Sequence, residues 1–91
     1  MAQYRKKPVV IDAFRWTGGE DQTEDPEWIC EALCTGRVRF ERAGTPDVAL
    51  LIDTLEVTLR ANRGDWIIRG VKGELYPCKP DIFAATYEAV E

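Results

Sequence analysis

The side chains best suited to chemistry in this 91-residue chain gather in one stretch: Trp66, Arg69, Lys72, Glu74, Tyr76 and Lys79. A guanidinium grips phosphate or carboxylate through parallel N–H bonds, and an ammonium adds a point charge. An aromatic ring beside them offers a face on which a flat base can stack. The six residues together suit a small anionic ligand of the nucleotide type. They would equally make an ordinary amphipathic surface, and both readings stand at the level of sequence.

Other constellations are weaker. The chain has sixteen carboxylates, so close acid pairs are inevitable, and spacing selects none of them for glycosidic or phosphoester hydrolysis. Asp65 and Glu74, which flank the stretch above, are the first candidates for such a pair. There is no histidine, hence no Ser-His arrangement. Cys30 and Cys34 lie one helical turn apart, with Cys78 elsewhere. A zinc site would need a fourth ligand, and a thioredoxin-like pair needs two intervening residues rather than three. Buried thiols are the expectation, with no metal and no cofactor. Neither a Walker loop nor a dinucleotide glycine fingerprint is present. Arg63-Gly64-Asp65 spells the cell-adhesion tripeptide, but at a turn of this kind it reads as coincidence.

The net charge is −4, unevenly spread. Glu20, Asp21, Glu24, Asp25, Glu27 and Glu31 fall in one segment without a single base; the remaining ten acids are outnumbered by twelve bases. The acidic segment and the basic run Arg5-Lys6-Lys7 are the candidate protein contacts, with Glu24, Asp25 and Glu27 foremost. Arg37, Arg39 and Arg42 form a second basic set, read as a solvated face, paired in part with the acids. No recognition-helix pattern accompanies it, which argues against nucleic acid. The longest apolar run, Val48–Ile52, is too short to cross a bilayer. The basic N-terminus lacks an apolar segment behind it, because Asp12 and Arg15 intervene. An odd number of cysteines fits a reducing compartment. The expectation is a cytosolic protein without a membrane partner.

The elements that must position these residues follow from periodicity. Pro8 to Trp16 reads as a strand apolar on both faces, hence central or covered twice. Asp25 caps a helix over about 26–35, with Pro26 at its first position. Trp28, Ile29, Ala32 and Leu33 form its buried stripe, and Gly36 stops it. Residues 37–42 alternate with Val38 and Phe40 inward. Val48–Ile52 is a further strand, and Leu55, Val57 and Leu59 alternate as the inner face of another. Asn62–Asp65 turns the chain, and 66–69 and 74–76 pair about a Gly70–Gly73 hairpin loop. Pro77 and Pro80 interrupt pairing, and Lys79–Phe83 reads as one helical turn. The last segment, 85–90, reads as a strand, with a short helix over 81–90 as the alternative. The order predicts one α+β domain over 1–91: a curled antiparallel sheet or small open β-barrel with one α-helix packed on it. Its sheet edges favour homo-oligomerisation.

Gly64-Asp65-Trp66-Ile67-Ile68-Arg69-Gly70-Val71-Lys72-Gly73-Glu74-Leu75-Tyr76-Pro77-Cys78-Lys79-Pro80-Asp81-Ile82-Phe83, followed by Thr86-Tyr87-Glu88, resembles a family of small bacteriophage and prophage proteins related to the PGDYG proteins. Tyr4-Arg5-Lys6-Lys7-Pro8-Val9 and Phe14-Arg15-Trp16-Thr17-Gly18 resemble the same family's opening. The name motif places Pro before the glycine and Tyr after the aspartate, where this chain has Arg63 and Trp66. The resemblance implies a phage setting, the host bacterial cytosol and a compact β-rich fold, and no particular activity. Combined with the cationic and aromatic stretch, it yields the expectation of a non-enzymatic accessory or counter-defence protein that binds a small anionic ligand. The alternatives are a module that inhibits a host protein through its acidic segment, and a carboxylate-based hydrolase.

Overall fold

The computed structural model describes residues 2–4, 8–19, 22 and 25–90. In chain order the elements are β1 (Asp12–Arg15), α1 (Glu27–Thr35), β2 (Val38–Glu41), β3 (Ala49–Asp53), β4 (Thr58–Ala61), β5 (Trp66–Arg69), β6 (Leu75–Cys78) and α2 (Pro80–Thr86). The strands form two antiparallel sheets, ordered β1-β5-β6 and β2-β3-β4. The α+β class is therefore as expected. The single curled sheet with one helix is not: two three-stranded sheets come into contact along β4 and β6, a second helix follows β6, and among the described residues no closed barrel forms.

The core lies between α1 and the inward faces of both sheets. Ile29 and Ala32 of α1 meet Phe14, Val38, Leu50, Ile52, Ile67 and Leu75, with Trp28 and Leu33 at the margin. Full burial of such side chains contributes about 1.5–3 kcal/mol each. The stripe read from the sequence is the one that packs. Asp25 does not cap the helix: Pro26 holds the cap position, and no side chain bonds there. The helix ends at Gly36, which is left-handed at φ 80°.

Pairing sets the strand lengths. The long first strand shrinks to four residues because β5 offers four partners, from Asp12 opposite Arg69 to Arg15 opposite Trp66. Beyond Arg69 the chain turns away, so Pro8 to Ile11 has nothing to pair with. β1 is an edge strand and not a central one. Likewise β4 begins at Thr58, opposite Asp53, which leaves 54–57 as a loop. Thr54 closes that loop: its Oγ1 accepts from the Val57 N–H at 3.1 Å and donates to the Val57 carbonyl at 2.6 Å. Leu55 and Val57, expected inward, are exposed there, and Phe40 on edge strand β2 is half exposed.

Two proline expectations change. Pro77 lies within β6 opposite Ile67, an arrangement an edge strand tolerates because one side needs no N–H donor. Pro80 opens α2 rather than ending order, with Asp81 in its first turn. The last segment is therefore helical to Thr86, and residues 87–90 form no strand. Phe83 supplies the tertiary reason: its ring stacks on Trp66 at 4.0 Å and 4°. No helix among the described residues is long and apolar enough to cross a membrane.

Candidate functional site

The β5–β6 hairpin forms as read, with Arg69 opposite Leu75 and Ile68 opposite Tyr76. Alternation then sends its side chains to two different faces. Arg69 points to the α1 side, where Nη2 and Nε donate to Asp12 Oδ2 at 2.5 and 3.2 Å. Its guanidinium lies 5.4 Å from the centre of the Trp28 ring. Trp66 and Tyr76 stand on the opposite face. Trp66 is covered by Phe83, whose ring lies 5.0 Å from Tyr87. Tyr76 shares a hydrogen bond with Tyr87, and its phenol is pushed up to about 12, first by burial and then by that bond. Lys79 donates to the buried Asp65 carboxylate at 3.2 Å. The six residues do not converge on one pocket, and two of the three cations are held by carboxylates.

Lys72 and Glu74 go elsewhere. They line a cleft of about 470 Å³ between the 70–73 turn and the 54–57 loop, with Arg37, Leu55, Glu56 and Val57. Arg37 Nη2 donates to the Gly73 carbonyl at 3.1 Å and ties the hairpin turn to the start of β2. The Arg37 carbonyl in turn accepts from the Asp53 N–H at 2.9 Å. The cleft thus has two cations, two carboxylates and an exposed apolar wall. Its volume falls in the range of small-molecule sites.

Comparison with protein-family models, with curated proteins and with solved structures finds no match for this chain. The chemistry of the site must therefore be read from its residues.

The carboxylates first named for hydrolysis, Asp65 and Glu74, sit at opposite ends of β5. Asp65 is committed to structure: it is 4% exposed, and Oδ2 accepts the Asn62 N–H at 2.9 Å besides Lys79. Cys30 and Cys34 are exposed rather than buried, because α1 turns Ile29 and Ala32 inward and leaves its other face to solvent. The three thiols form no disulfide. Among the described residues no group of three His, Cys, Asp or Glu side chains could hold a metal ion.

The basic sets divide by partner. Arg39 pairs with Asp53 at 2.5 Å, Arg42 with Asp47 at 3.9 Å and Arg60 with Glu41 at 2.8 Å. The Thr58 hydroxyl and Arg39 together hold the Asp53 carboxyl below its ordinary value. These carboxylates lie outside the acidic segment expected to pair with the arginines. Asp25 and Glu27 are exposed at the start of α1, whereas Arg5, Lys6, Lys7 and Glu24 lie outside the described residues. Sequence reasoning missed Arg15 and Arg63, which bond to backbone carbonyls: Arg15 Nε to Gly64 at 3.1 Å and Arg63 Nε to Thr17 at 2.8 Å. Their one sequence signal is that each adjoins an aromatic or glycine turn position, which does not reveal that the two loops meet.

Proposed function

We propose that the protein is a non-enzymatic accessory module that captures a small anionic, nucleotide-like ligand in the cleft between the 54–57 loop and the 70–73 turn. One observation carries this reading: Arg37 and Lys72 line the same cleft as the exposed Leu55 and Val57. A phosphate would take the cationic side, where Arg37 is already fixed by Gly73, and a base would cover the apolar wall. Glu56 and Glu74 supply acceptors for the donor groups of a base or sugar. The non-enzymatic character rests on the sequence, which has no histidine and no paired nucleophile and base. The phage setting and a counter-defence role rest on the family resemblance. Isothermal titration against a panel of linear and cyclic nucleotides tests the proposal. Micromolar binding that weakens at least about tenfold in Lys72→Glu supports it; no heat from any nucleotide at micromolar protein overturns it.

A second reading, self-association, is favoured by a different observation. β1 is an edge strand, and Val9 and Val10 beside it are exposed. An unpaired strand edge with exposed apolar side chains is a template for a second copy. Light scattering checks it: a dimer that Val10→Lys converts to monomer supports this reading, and a monomer at high protein concentration removes it.

A further inference from the structure

We propose that Arg15 and Arg63 form a second anion site, distinct from the nucleotide cleft, that takes a terminal phosphate. They lie at the opposite end of β5 from the 70–73 turn, and they line a cleft of about 410 Å³ with Thr17 and Gly64. The two loops that carry them are bound to each other. The Trp16 N–H donates to the Asp65 carbonyl at 2.9 Å, and the Gly64 N–H donates to the Trp16 carbonyl at 2.8 Å.

Each arginine crosses to the other's loop. Arg15 Nε donates to the Gly64 carbonyl, and Arg63 Nε donates to the Thr17 carbonyl. Both stems are thereby anchored through Nε, and among the described residues the Nη groups of neither meet a carboxylate. Arg39, Arg42, Arg60 and Arg69 each pair with a carboxylate, and Arg37, which like these two bonds a backbone carbonyl, shares its cleft with Glu56 and Glu74. An anchored guanidinium has already lost much of the freedom that binding would otherwise cost.

Glycine makes room for the Arg63 stem: a Cβ on Gly18 would stand 3.1 Å from the Arg63 Cγ. One on Gly64 would reach only ordinary contact, 3.7 Å from the Arg15 Nη2, and glycine serves there through its φ of 91°.

The charge balance selects the ligand. The 470 Å³ cleft mixes Arg37 and Lys72 with Glu56 and Glu74, whereas the described residues that line this one include two cations and no acid. Two guanidiniums match the double charge of a phosphomonoester, and each fork can take two oxygens. The Thr17 hydroxyl lines the same cleft and can add a bond to a phosphate oxygen. A phosphodiester within a nucleic-acid strand carries one charge and fits less well.

The test follows the arginine Nε–H signals of the full chain by NMR during titration with inorganic phosphate, at ionic strength held constant with chloride. Saturating shifts of Arg15 and Arg63, with Arg39 and Arg60 unmoved, support the site. Those shifts survive in Lys72→Glu, which separates this proposal from the nucleotide cleft, and the Thr17 and Gly64 backbone amides, which line the same cleft and remain as reporters, shift with phosphate in the wild type but not in Arg15→Gln/Arg63→Gln. Should that double variant fail to fold, Arg63→Lys alone serves, and a loss of at least about fivefold in phosphate affinity is expected because the fork is gone. A short single-stranded DNA with and without a 5′-phosphate then distinguishes the source. Binding that requires the 5′-phosphate supports the terminal group; equal binding by both strands overturns it in favour of the backbone. Arginine shifts no larger than those in chloride, or Thr17 and Gly64 amide shifts undiminished in the double variant, also overturn the proposal.

Discussion

Arg69 and Asp12, 57 positions apart in the chain, face each other across the β1–β5 ladder with Nη2 2.5 Å from Oδ2. The pair turns a candidate ligand-binding arginine into a clasp between the first strand and the hairpin. Both side chains are partly exposed, at 39% and 57%, so the ion pair contributes only about 0–1 kcal/mol. Arg69 additionally covers the Trp28 ring. Arg69→Ala should therefore destabilise by about 1–2 kcal/mol, more than Asp12→Asn, because it removes both the pair and the cation over the ring. Chemical denaturation of the two variants checks the order; equal losses would show that the ring contact contributes nothing.

Asp65 is the buried carboxylate among the described residues and joins the Asn62 N–H to the Lys79 ammonium. Asp65→Ala strands a backbone donor and a cation, at a cost of about 1–3 kcal/mol. Asp65→Asn keeps an acceptor and should lose less. Thermal melts of the two variants report the difference, and a wild-type melting point in Asp65→Ala would refute the role.

Phe83 holds α2 through the stack on Trp66 and the contact with Tyr87. Aromatic pairs add about 0.5–1.5 kcal/mol beyond the area they bury. Phe83→Leu should keep apolar bulk while losing the stack, and should expose Trp66 to water. The measurement is tryptophan emission together with amide exchange of α2. A red shift with faster exchange confined to residues 80–87 is expected; unchanged emission would show that α2 is held by something else.

Two groups among the described residues shape the pH window. The Tyr76 phenol is raised from 10.0 to about 12, so the folded chain keeps a proton that the unfolded chain releases. Its contribution is complete below pH 10 and disappears as the pH climbs towards about 12. Asp53 acts in the opposite sense. Its carboxyl is lowered from 3.8, so its contribution is present above that value and lost as the pH falls through the lowered one. Tyr76→Phe should flatten the alkaline limb of stability against pH and leave the acid limb unchanged; Thr58→Val should soften the acid limb alone. Melting points from pH 2 to 12 would expose any other pattern.

Much of the fold was legible because the signals are local. The stripe of Ile29 and Ala32 repeats at helical spacing, and Gly70 and Gly73 bracket a hairpin whose strands lie adjacent in sequence. The misread segments are those where local pattern and pairing disagree. Leu55 and Val57 alternate like strand residues, yet the Asp53–Thr58 register and the Thr54 side chain make them a loop. Ala84 and Ala85 marked a helix that the β-like Thr86-Tyr87-Glu88 obscured, and the Trp66–Phe83 stack favours the helix.

The candidate site was legible as composition, not as geometry. The chain by itself determined which residues carry charge and aromatic surface, where its turns fall, and that no histidine chemistry is available. It could not determine which charges are spent internally. Arg69 meets Asp12 across 57 positions, and Arg15 reaches Gly64 across 49. Such partners are chosen by sheet order and register, which follow from burying the whole apolar set at once. The tertiary structure alone therefore decided that Arg69 and Lys79 are clasps and that Arg15 and Arg63 lie together.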